Sequence, residues 1–183
     1  MKYLIIMVLL ISNAVLGVPD AKRFEAFSTK CLMSDFDASN LKIETVSDSD
    51  FVENIEKSID FSMFASSYDA NDLFIQEEKN IHDSSKNYNY IFNNGADGAV
   101  FILGKNKEVG KKILACVSIE TKKFSNKNIY IGQTFDYFKN RLSLKEVKSI
   151  DVLIVEAGDM SVELYFRNNT LIRFHYVNDG YNG

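Results

Sequence analysis

The sequence predicts an α+β fold: antiparallel sheet meanders with two main helices packed on one face, in the order helix-βββ-helix-βββ. Three patterns predict it. An amphipathic stretch opens near Asp48, two separate groups of alternating apolar and polar residues follow, and a second amphipathic stretch lies between those groups. Runs of hairpin-linked strands interrupted by helices, without strict strand–helix alternation, point to α+β.

Residues 1–17 read as a signal peptide. Lys2 supplies the charge, Tyr3 to Ile11 the apolar run, and Val15 and Gly17 the small residues at a cleavage site. The alternative, a retained membrane anchor, needs about 20 apolar residues, and this run is shorter. Residues 18–183 then read as a single domain. Phe24 and Phe27, in the lead-in to Cys31, fit one helical turn against the core.

From Asp48, an Asp50/Glu53 pair at capping spacing precedes a helix whose Phe51, Val52, Ile55 and Ile59 share one face. It is expected to run to about Met63 or Phe64. Residues 69–86 are polar and poorly periodic, so the expectation there is a loop with a short helix at Asp72 to Glu78. The first meander follows: Tyr88 to Phe92, a turn at Asn93 to Gly98, Ala99 to Leu103, a turn at Gly104 to Lys111, and Lys112 to Thr121. Ile129 to Leu142 reads as a short strand, a Gly, Thr134 at the helix N-cap, and a helix with a Phe135/Phe138/Leu142 stripe. Three last strands turn at Gly158-Asp159 and Asn168-Asn169, pairs that tolerate positive φ.

Two cysteines, Cys31 and Cys116, are an even count in an exported chain and read as a disulfide. Two free buried thiols are the alternative. A loop of this length makes such a bridge worth roughly 4–5 kcal/mol in the chain-entropy view. Many Asn and Lys with one Pro and no Trp point to an AT-rich, bacterial source. The periplasm is the expected compartment, with eukaryotic secretion as the alternative and Asn168 as its glycosylation sequon.

Motifs for chemistry are thin. Ser39-Asn40-Leu41-Lys42 matches S-x-x-K, but its companion strings are missing. His82 and His175 lie far apart and lack zinc spacing. GKNKEVGKK, at 104–112, has five residues between its glycines and Lys112 where a phosphate loop needs Ser or Thr, so it reads as a basic hairpin turn. Asp48, Asp50, Asn93, Asn94 and Asp97 lack the calcium-loop pattern and read as caps and turns. No catalytic, metal-binding or cofactor-binding residue is assigned.

Charge is more informative. Residues 35–83 carry 13 acidic and three basic residues, whereas 105–148 carry 11 basic and four acidic. Either the fold interleaves the two stretches, or it presents a bipolar field that steers a charged partner. The acidic pI of about 5.3 disfavours nucleic acid. Tyrosine is favoured at protein interfaces. The candidate interface is therefore Tyr68, Tyr88, Tyr90, Tyr176 and Tyr181, with Lys105, Lys107, Lys111 and Lys112.

The I-x-I-G-x-T-F…F…L pattern of Ile129 to Leu142, followed by a meander, resembles the repeating unit of small exported modules. These are the β-lactamase-inhibitor-like proteins and the SmpA-type outer-membrane assembly lipoproteins; this chain departs from the latter in having no lipidation Cys. The resemblance implies an α+β sandwich that binds another protein, and it carries over no site residue. The expected function is a periplasmic protein-binding module, without a stable membrane anchor, that acts as an inhibitor or immunity protein against an envelope enzyme or toxin. An envelope assembly factor is the alternative, and a carboxylate-dependent hydrolase ranks third.

Overall fold

The computed structural model describes residues 21–32, 40–79, 86–103, 112–124, 128–144 and 146–181. The expected leader, the Gly104–Lys111 turn and His82 lie outside them. The elements are α1 (Ala21–Leu32), β1 (Ile43–Ser47), α2 (Ser49–Ser58), α3 (Phe61–Ser67), β2 (Leu73–Lys79), β3 (Lys86–Asn93), β4 (Gly98–Leu103), β5 (Ile113–Ile119), α4 (Phe135–Arg141), β6 (Val152–Ala157), β7 (Met160–Arg167) and β8 (Thr170–Asn178).

The α+β class holds, but the order and count of elements differ from the expectation. The two meanders are one open, eight-stranded sheet, ordered β1-β6-β7-β8-β5-β4-β3-β2. The antiparallel β5–β8 pair joins them, and β1–β6 is parallel. Residues 73–79, expected as loop or helix, are the edge strand β2, paired antiparallel to β3. Ile43–Ser47, given no element in the sequence, is the opposite edge.

The single helix expected from Asp48 is two. Asp48 caps α2 by accepting from Phe51 N at 2.8 Å. Asp60 caps α3 by accepting from Met63 N at 3.0 Å. A second N-cap only 12 residues on restarts the helix, and the break falls at Ile59–Asp60. The strand expected at 129–131 is reduced to an isolated bridge residue at Tyr130, followed by a turn at Ile131-Gly132 and an isolated Thr134–Thr170 bridge. Thr134 stands at the α4 N-cap in extended conformation, but its side chain makes no capping bond.

Helices lie on both faces of the sheet, where one face was expected. On the front, Phe51, Ile55, Phe64, Phe135 and Phe138 from α2, α3 and α4 join Phe92, Phe101, Val155, Leu164 and Phe174 in the main core. On the back, α1 contributes Phe24, Cys31 and Phe27 to a second cluster with Ile91, Val100, Ala115, Cys116 and Val177. Period-2 strands make this possible: Val100 and Ile102 face back while Ala99 and Phe101 face front.

A bulge between Val100 and Phe101 breaks that alternation in β5, where Ala115 is the extra residue. Leu114 and Val117 face front, and Ala115 and Cys116 both face back. The bulge thereby turns Cys116 toward α1. The expected disulfide follows: Cys31 is bonded to Cys116, with Cα atoms 6.0 Å apart, and there is no free cysteine. Among the described residues, no helix is long and apolar enough to cross a membrane.

Candidate protein-binding surface

The structure divides the predicted interface residues. Tyr68 and Tyr176 are core residues, which corrects their reading as surface tyrosines. Tyr68 stacks on Phe64 at 5.1 Å, and Tyr176 is 0% exposed, on the front face of β8 beside Phe174. Burial, with Asp97 near its phenol, pushes the Tyr68 pKa well above the ordinary tyrosine value. Tyr88 and Tyr90, on β3, are half-buried. The side chain of Tyr181 and all of Lys105, Lys107 and Lys111 lie outside the described residues.

The fold brings together one predicted pair, Tyr90 and Lys112. Phe61 meets Tyr90 edge-on at 5.3 Å, and the Lys112 ammonium lies 4.2 Å above the Phe61 ring and 4.6 Å above that of Tyr90. Burial lowers the Lys112 pKa and raises that of Tyr90. The cation rests on ring faces of negative potential. This pair is held mostly by its own neighbours.

A more exposed pair went unnoticed in the sequence. Tyr130 and Tyr137 are 44% and 42% exposed. They flank a rigid junction: Gly132 N donates to Leu171 O at 2.8 Å, Leu171 N to Gln133 O at 2.8 Å, and Phe135 N to Asn169 O at 3.0 Å. The Gln133 side chain accepts from Tyr130 N at 3.3 Å. Gly132, at φ 102°, has an open face where the Lys122 side chain lies; a Cβ there would sit 3.5 Å from its Cε.

In α4, Phe135 and Phe138 turn inward, which leaves Tyr137 outside, its ring edge-on to Phe138 at 5.2 Å. The signal was present in the sequence: Tyr137 is off the Phe135/Phe138/Leu142 stripe. Lys122, on the turn after β5, and Arg167, the last residue of β7, are exposed cations near this corner.

The back face carries a polar row. His175 on β8 is paired across strands with Glu163 on β7 and Ser118 on β5. His175 Nδ1 lies 3.4 Å from Glu163 Oε2, the Tyr165 hydroxyl donates to that same oxygen at 2.5 Å, and His175 Nε2 lies 2.8 Å from the Cys31 carbonyl. The imidazole is thus engaged at both nitrogens, and neither is presented to a substrate as a base. Among the described residues, no group of three or more His, Cys, Asp or Glu is arranged to hold a metal.

No protein-family model matches the chain, and no curated protein matches it. One solved structure, described as an extracellular protein containing a SCP domain from Bacillus anthracis str. Ames, is similar with 14% identity and a TM-score of 0.38. The likeness covers 72% of this chain and 46% of that one, so the chain spans less than half of that structure's length.

Proposed function

We propose that the chain is an exported protein-binding module that blocks an envelope-acting enzyme or toxin, and that the Tyr130/Tyr137 corner makes the contact. One observation carries this reading: two tyrosines more than two-fifths exposed are fixed on a backbone-bonded junction. Pre-organised tyrosines offer large amphipathic area with little side-chain ordering on binding. The Cys31–Cys116 disulfide supports an oxidising compartment such as the periplasm.

Photo-crosslinking amino acids placed at Tyr130 and Tyr137, with a control at exposed Lys22 on α1, test the surface in native and competitor envelope extracts. The expected result is one enzyme crosslinked from the corner and not from Lys22, whose activity the purified chain inhibits. Equal labelling from all three positions, or a crosslinked enzyme that the chain leaves fully active, contradicts the reading.

A further inference from the structure

We propose that Tyr165, Glu163 and His175 form a proton-bearing clamp that seats the last turn of α1, and so holds Cys31 against Cys116 before the disulfide forms. The Cys31 carbonyl is one of the last four of α1, which ends at Leu32 and leaves such carbonyls without an intrahelical donor. A carbonyl only accepts, so His175 Nε2, 2.8 Å away, carries a hydrogen. On its other side Nδ1 faces Glu163 Oε2 at 3.4 Å, an oxygen that already accepts from Tyr165.

An unprotonated Nδ1 would set its lone pair against a carboxylate inside the protein, where His175 is 2% and Glu163 6% exposed. A second ring proton removes that conflict. The Tyr165 hydroxyl favours the ionised carboxylate, and the negative end of α1 favours the cation beside it. The clamp therefore holds a doubly protonated imidazole between a carboxylate and a helix C-terminus.

Other described groups stand around this site. Ser118 stands opposite His175 on β5. Arg173, two residues before His175 on β8, lies over the Tyr165 ring at 5.1 Å and meets Glu120 at 3.6 Å. From α1 the Cys31 carbonyl faces in, while Lys30 is exposed.

The same residue is thus tied twice, covalently at Sγ and by a hydrogen bond at its carbonyl. The second tie needs no oxidant and can form first. Oxidation then proceeds with a disulfide oxidant such as oxidised glutathione. One cysteine thiolate attacks a glutathione sulfur and releases a glutathione thiolate. The other attacks the mixed disulfide and releases the second, and the two cysteine protons leave on two glutathione thiols.

Equilibration of the full chain in glutathione redox buffers reads the effective concentration of the cysteine pair. His175→Leu is expected to lower it by about tenfold or more, the loss of a charge-assisted hydrogen bond. An effective concentration within about twofold of the parent chain would overturn the clamp. Nitrogen NMR of the Cys31→Ser/Cys116→Ser chain gives a readout that does not depend on the leucine variant folding. Both His175 ring nitrogens are expected to be protonated, with slow exchange at Nε2, and Glu163→Gln in that background should remove the Nδ1 proton alone. A ring that carries one proton, or that exchanges freely once the disulfide is gone, would overturn the proposal.

Discussion

Asp97 is 0% exposed, and its carboxylate is spent on backbone. It accepts from Glu120 N at 2.7 Å, from Thr121 N at 2.9 Å and from the Thr121 hydroxyl, which pins the end of β5 to the Asn93–Gly98 turn. That turn role was legible in the sequence, because Asn-Asn-Gly-Ala-Asp-Gly offers side chains that bond their own backbone; Asn94 accepts from both Ala96 N and Asp97 N. The tyrosines were less legible. A tyrosine in a polar stretch looks the same in sequence whether its ring faces core or solvent, and Tyr176 falls inward because β8 alternates. Tyr68 and Tyr165 make the difference measurable: desolvation raises both phenols well above the ordinary value, with Asp97 adding to it at Tyr68 and Glu163 at Tyr165. An unfolded tyrosine releases its proton near pH 10 while these two retain theirs, so their contribution to stability is complete below about pH 10 and declines as pH rises beyond it. Alkaline titration of phenolate absorbance should find at least two tyrosines silent until the chain unfolds. All tyrosines titrating together in the folded chain would contradict their placement.

At the scale of elements, the hairpins were read well and the edges poorly. The Gly158 and Asn168-Asn169 turns sit at positive φ, as their residue types foretold. β2, with its Gln76-Glu77-Glu78-Lys79 end, hides its strand character because charge is how an exposed edge resists pairing with other chains. β1 is only five residues long and shows little contrast between its faces. α1 is legible only as the one helical turn at Phe24 and Phe27; its full length, Ala21–Leu32, is hidden because its other inward residues, Ser28 and Cys31, are not obvious core residues. Its seating depends on Gly98. A Cβ there would lie 2.4 Å from the Phe27 ring and 2.5 Å from the Phe92 carbonyl. Gly98→Ala is expected to cost about 1–3 kcal/mol through this overpacking, and to loosen α1 more than the front helices. Hydrogen exchange should show protection falling first in 21–32; an unchanged exchange pattern and denaturation midpoint would contradict it.

At the scale of the molecule, the joining of two meanders through β5 and β8 could not be read from local pattern, since it pairs Cys116 with Val177 and Ile119 with Phe174 across most of the second half of the chain. The bipolar charge of the sequence is partly interleaved by folding: Arg141 reaches Asp48 at 3.7 Å, from the basic stretch to the acidic one. What remains is a platform whose back is tied by a disulfide and whose α4 corner presents Tyr130 and Tyr137. If that corner is the contact surface, a few aromatic anchors should carry much of the binding energy. The most direct measurement is the affinity of the crosslinked enzyme for the Tyr130→Ala/Tyr137→Ala chain. The account predicts a loss of about a hundredfold or more, with at most a small fall in melting temperature, because neither side chain belongs to the buried core. Affinity within about threefold of the parent chain, with the fold intact, would contradict it.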